Sequence, residues 1–135
     1  MHKPALAGVL VLLLACPAPG RAAIAGVVFQ ISTTKVASWK VAMHNVHNLE
    51  ATGISGHDIE IVILGPAIHI LLKSSPVAPS LTRLHASGVT IDACRAAIRR
   101  ARLAPGAILP FVRYIRSGIA EVVRRERQGW AYIRP

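Results

Sequence analysis

Residues 58 to 64 read DIEIVIL, and the fold turns on how that stretch is read. A strand with one wet face alternates apolar and polar residues, whereas Ile61, Val62, Ile63 and Leu64 run on without alternation. Such a run marks a strand buried on both faces, as in a parallel sheet covered by helices. Gly65-Pro66 stops it. Parallel neighbours need long crossover connections, so helices are expected on either side of it in the chain.

Upstream, Gly26 to Ile31 (GVVFQI) is a short β-branched run closed by the capping residues Ser32, Thr33 and Thr34. From Lys35 to Thr52 the spacing becomes helical, with Val36, Trp39, Ala42, Met43, Val46 and Leu49 within one arc of about 140° at 100° per residue. Gly53 ends that helix. Downstream, a helical piece over 67–72 is interrupted by Pro76 and Pro79, and a helix over 80–86 is closed by Gly88. Val89 to Ile91 reads as a third strand, with Asp92 placed to cap the helix that carries Cys94. Phe111 to Ile115 gives a fourth strand, Ser117-Gly118 starts a helix to Gln128, Gly129 stops it, and WAYIR gives a fifth strand. Strand and helix alternating at this spacing predict a three-layer α/β/α sandwich around a mostly parallel five-stranded sheet.

The first 22 residues stand apart as a secretory signal: Lys3 supplies the positive start, Ala5 to Ala15 the apolar run, and Pro17, Pro19 and Gly20 the break before small residues. Eleven apolar residues fall well short of the roughly 20 a membrane-spanning helix needs. Residues 23–135 are then one mature domain, periplasmic or secreted. An alternative makes Leu13-Leu14-Ala15-Cys16 a lipoprotein box, with a lipid anchor on Cys16. Without Lys3 and Arg21, 14 basic side chains face 6 acidic ones, a net charge of about +8. Beyond the cytoplasm nucleic acid is scarce. The charge is therefore read as a solvated basic surface near anionic lipid, or as a site for small anions.

With Cys16 removed or lipidated, Cys94 has no intramolecular partner for a disulfide. In the stretch VTIDACRAAIRRAR, a cysteine in the first turn of a helix meets unpaired N–H groups and the positive end of the helix dipole, which favour a thiolate. Arg95, Arg99 and Arg102 add positive potential at i, i+4 and i+7. The same periodicity places Cys94 on the arc of Ala97, Ile98 and Ala101, where a buried cysteine is merely a small hydrophobe. Periodicity leaves both readings open. In an open α/β sheet ligands collect beyond the carboxyl ends of the strands. Here those ends are Ser32 to Thr34, Gly65-Pro66, Asp92 to Cys94, and Arg116 to Gly118. His44 and His47, three apart on the first helix, lack a third ligand nearby for zinc, and His69 reads as a hydrogen-bonded rim residue. With no nucleophile elbow, phosphate-binding glycine loop or CxxC, neither cofactor nor metal is expected.

IDACRAAIRR resembles the segment of the DsrE/DsrF-like family in which a cysteine begins a helix after the third strand. ASWKVAMHNVHNLEATG, with Asn48-Leu49, and RSGIAEVVRRERQGWAYIRP, with Ser117-Gly118 and the Gly-Trp of 129 and 130, are similar to its exported, stand-alone branch. The resemblance runs from about Gly26 to Pro135. It implies a five-stranded α/β/α sandwich, a homo-oligomer (trimer or hexamer), and correspondence of Cys94 to the cysteine that accepts a sulfane sulfur as a persulfide. The expected function is an exported sulfur carrier, sulfurtransferase-like in its chemistry. Cys94 would react, and Arg95, Arg116, Ser117, Gly118 and Gly65 would line the site for a small anionic sulfur species. The alternative is a non-catalytic binding or scaffold module of the same fold with Cys94 buried.

Overall fold

The computed structural model describes residues 23–135; the expected leader and the alternative lipid anchor on Cys16 fall outside them. The expected DIEIVIL strand is β2 (Ile59–Ile63), with all five residues buried. It lies at the centre of a five-stranded sheet with β1 (Val27–Ile31), β3 (Thr90–Cys94), β4 (Arg113–Ile115) and β5 (Ala131–Ile133), in the order β4-β3-β2-β1-β5. Every pairing is parallel, so the sheet is wholly rather than mostly so.

The layers follow from handedness. Helices α1 (Val36–Ala51), α2 (Ala78–Ala86) and α3 (Arg95–Ala101) each connect one strand to the next in the same direction across the sheet. Right-handed crossovers in one direction place them on one face. The connection from β4 to β5 runs back across the whole sheet, so α4 (Gly118–Arg127) lies on the other. The first face holds the main core, a single cluster that includes Phe29, Ile61, Ile63 and Ile91 of the sheet and Trp39, Ala42, Met43 and Val46 of α1. The second carries only a small apolar patch of Val28, Val62 and Val122.

The helix arc expected for α1 is the buried one: Trp39, Ala42, Met43 and Val46 turn inward, and the indole N–H of Trp39 donates to the Thr33 carbonyl at 2.7 Å. Gly53, Gly88 and Gly129 end their helices in the left-handed region, at φ of 97°, 105° and 82°. The proline-bounded piece after β2 forms a 3₁₀ turn over Gly65–Leu71 rather than an α-helix. The expected strand from Phe111 shortens to Arg113–Ile115, because the Phe111 ring stacks on His85 at 4.4 Å instead of entering the sheet.

The third strand corrects the sequence reading most. It continues to Cys94, with Ile91, Asp92, Ala93 and Cys94 all buried. Asp92 therefore caps nothing. Its carboxylate lies inside the sheet layer and takes the Arg113 guanidinium in a two-pronged contact, with Nε and Nη2 each at 2.6 Å. Cys94 itself occupies the cap position of α3.

Candidate functional site around Cys94

The loop after β3 leaves toward α3 on one face, and the loop after its neighbour β4 leaves toward α4 on the other. Adjacent strands whose exits diverge open the crevice where α/β sheets receive ligands. Cys94 is the last residue of β3 and stands at that point, in register with Ile115 of β4. Its thiol is free and the residue is 8% exposed, so the sulfur is largely covered without being fully sealed.

The electrostatics oppose one another. Burial pushes the Cys94 thiol up, but the backbone N–H groups of Gly118, Ala97 and Ala96, together with the charge of Arg99, outweigh it and leave the thiol more acidic than an ordinary cysteine. Two helix starts thus converge on one sulfur: the first turn of α3, which Cys94 caps, and the first residue of α4. Sulfur held as a thiolate by oriented amides is the reactive form of cysteine.

Gly118 is what permits the second approach. A Cβ at this position would lie 3.0 Å from Leu64 Cβ, 3.2 Å from Leu64 Cδ2 and 3.3 Å from Val62 Cγ1, tighter than ordinary packing. What the glycine supplies is space rather than conformational freedom, since its φ is not in the left-handed region. Ser117 caps α4, its hydroxyl accepting from the Ala120 N–H at 3.4 Å. Arg95 follows Cys94 directly and Arg116 follows Ile115, the register partner of Cys94 on β4, and both are exposed. Gly65, at φ +59° after β2, has open space where a side chain would stand. Of the arginine stripe, Arg99 is the member whose charge reaches Cys94, whereas Arg102 has left the helix in a left-handed conformation at φ 53°.

His44 and His47 are exposed and line a groove of about 840 Å³ between α1 and α2 with Lys40, Glu50 and Arg83. His69 is exposed on the 3₁₀ turn. Among the described residues, the one group of three potential metal ligands close together is elsewhere: Glu60, Asp92 and Glu121, whose oxygens lie within 4.8 Å of one another beneath α4. Arginines already occupy it. Arg113 forks onto Asp92 and reaches Glu60 at 3.3 Å and Glu121 at 3.6 Å, Arg125 pairs with Glu60, and Arg124 pairs with Glu121.

Three carboxylates against three guanidiniums balance in charge, but not evenly atom by atom. Glu60 and Asp92 are fully buried, and Glu60 Oε1 has no hydrogen-bond partner. Burial first, and then the neighbouring Asp92, push the Glu60 carboxyl up to about 7 against the pull of Arg125. A proton on Glu60 turns the orphan oxygen's side of the group into a donor among acceptors. Arg124 holds the Glu121 carboxyl below the usual carboxylate range. The sequence reading missed this cluster. Its one signal was Glu60 itself, a carboxylate in the middle of a strand buried on both faces, which demands a partner.

None of the described helices is long and apolar enough to cross a membrane. Among solved structures the chain is similar to a protein of unknown function, MTH1491 from Methanobacterium thermoautotrophicum, at 31% identity and a TM-score of 0.75, covering 81% of this chain and 97% of that one. It shares its fold with BT1422 from Bacteroides thetaiotaomicron, a conserved protein of unknown function, at 17% identity and a TM-score of 0.63, covering 82% of this chain and 95% of that one. The comparison with curated proteins gave no match. The sequence pattern of the DsrE/DsrF-like family matches residues 25–135, nearly the whole of the described chain, and this protein belongs to the DsrE/DsrF-like family.

Proposed function

We propose that this protein carries sulfane sulfur on Cys94, in the periplasm or outside the cell after loss of its first 22 residues, and as a homo-oligomer. The observation that carries the reading is the place of Cys94, a free thiol at the carboxyl end of β3 and the start of α3, in register with the end of β4 that leads into α4; the Gly118, Ala97 and Ala96 amides favour its ionisation there. In the loading step the Cys94 thiolate attacks the outer sulfur of a donor such as thiosulfate. A bond forms between the two sulfurs, the donor's own S–S bond breaks, and sulfite leaves with the electron pair. Cys94 is left as a persulfide anion. An acceptor thiolate then takes the outer sulfur and returns Cys94 to its starting state, so no external oxidant or reductant enters. One thiol suffices for carrying, which fits a site where Arg95 and Ala96 rather than a second cysteine follow. The exposed guanidiniums of Arg95 and Arg116 offer planar donors suited to an oxyanion such as thiosulfate.

The 8% exposure of Cys94 favours a second reading, a scaffold of the same fold in which the thiol is packing. One mass measurement separates the two. Protein recovered separately from the periplasmic and cytosolic fractions is incubated with polysulfide, or with thiosulfate and a sulfurtransferase, and weighed intact and under native conditions. The carrier reading expects a chain lacking its leader, assembled as a trimer or hexamer, that gains one sulfur atom, with no gain in Cys94→Ala. An unloaded wild-type chain contradicts carriage, and a full-length cytosolic chain contradicts export. A monomeric native mass contradicts assembly.

A further inference from the structure

Helix α4 is held to the sheet in an unusual way. Gly118, Glu121, Val122 and Arg125 fall at i, i+3, i+4 and i+7, a single stripe of the helix. The apolar part of its seat is only Val122 on Val28 and Val62, fringed by Leu64, Ile115 and Trp130. The remainder is charge. Arg125 donates through Nε to Glu60 of β2 at 2.7 Å while its guanidinium lies 3.9 Å over the Trp130 ring. Arg113 of β4 ties Asp92 of β3, Glu60 and Glu121 together. At the N-terminal end of the same stripe, Gly118 rests against Val62 and Leu64, three residues beyond Ile115, which pairs with Cys94 across the sheet; its N–H is the first of the backbone groups that make the Cys94 thiol more acidic.

A ten-residue helix is about 15 Å long and moves as one body. Where its middle is fastened fixes where its first amide lies. We propose that the charge cluster centred on Glu60 is a positioning device: by seating α4 on β2, β3 and β4 it holds the Gly118 N–H on the Cys94 sulfur, so that Glu60 and Arg125 set the reactivity of a thiol they do not touch. The charged groups facing Glu60 are Asp92 from β3, Arg113 from β4, and Glu121 and Arg125 from α4, with Arg124 joined through Glu121; β1 contributes only the neutral Val28 beside it. The inference rests on the reading of Cys94 as a chemical thiol. Its test reads thiol ionisation with no sulfur donor present, so a failure of carriage and a failure of positioning give different results.

The mature protein and its variants are alkylated with iodoacetamide across pH, with melting temperature recorded for each. Arg125→Lys keeps the charge and loses the forked contact; it is expected to move the alkylation profile to higher pH and slow the reaction at pH 7 by about threefold or more. Glu60→Leu gives the sharper reading. Removing a negative charge would by itself favour the thiolate, whereas unseating α4 disfavours it, and positioning predicts the second. Arg127→Gln removes a charge from the exposed last turn and is expected to leave the profile in place. The proposal is overturned if Arg125→Lys and Glu60→Leu melt lower yet overlay the wild-type profile, if Glu60→Leu shifts it to lower pH, or if Arg127→Gln shifts it as far as Arg125→Lys.

Discussion

Glu60 is the residue whose environment departs furthest from what its chemistry prefers. Desolvating a carboxylate costs several kcal/mol unless it is paired or protonated, and here both remedies are present. Its folded pKa, pushed up to about 7, lies above the ordinary value of 4.5, so the folded state binds the proton more tightly. Its contribution to stability is therefore complete below about pH 4.5 and lost as pH rises through 7. Glu121 has the opposite sign, but its loss falls below the usual carboxylate range and outside that window. Urea unfolding should find the wild type less stable at pH 7.5 than at pH 5 by about 1–3 kcal/mol, with Glu60→Gln flattening the difference. Equal slopes in the two proteins would contradict this assignment. The sequence showed only that Glu60 needs a partner, not which one, because the partners of Glu60 and Asp92 lie 65 and 21 positions away along the chain. Hydrophobic periodicity reports which face a residue takes and is silent on distant ion pairs. The cysteine was legible and its cap was not. Asp92 carries the composition of a helix cap, and only the pairing with Arg113 shows that strand burial claims it first.

At the scale of the element, α4 shows how a single missing side chain shapes the site. Replacing Gly118 by Ala in a helix ordinarily gains up to about 1 kcal/mol of backbone entropy and propensity. Here the new methyl would stand 3.0 Å from Leu64 Cβ, and forcing a group into packed surroundings costs about 1–3 kcal/mol. The clash should win. Gly118→Ala is expected to lower the thermal midpoint and to slow Cys94 alkylation as α4 lifts by a few tenths of an ångström; a more stable protein with an unchanged thiol would refute the close approach. The other elements divide by how local their causes are. β2 and α1 were legible because a continuous apolar run and a helical arc are carried by consecutive residues. The ends of β3 and β4 were not, since a three-residue edge strand is set by its neighbour's register and by where Phe111 finds a ring to stack on.

For the whole molecule, one rule of handedness does most of the work. Three crossovers in one direction and one return put α1 to α3 on one face and α4 alone on the other, and the point where the exits diverge is where Cys94 stands. The sheet order was not visible in the sequence, though the number of strands, their alternation with helices and the rim that gathers Cys94, Ser117 and Gly118 were. The arrangement places a largely covered sulfur between two sets of amides, and the central claim is that it is nonetheless ionised and within reach. Alkylation of the native protein by iodoacetamide, followed by mass across pH 5 to 10, tests this most directly. The account predicts complete modification of Cys94 without unfolding, at a midpoint below that of free cysteine. Modification that begins only once denaturant has unfolded the chain would contradict it.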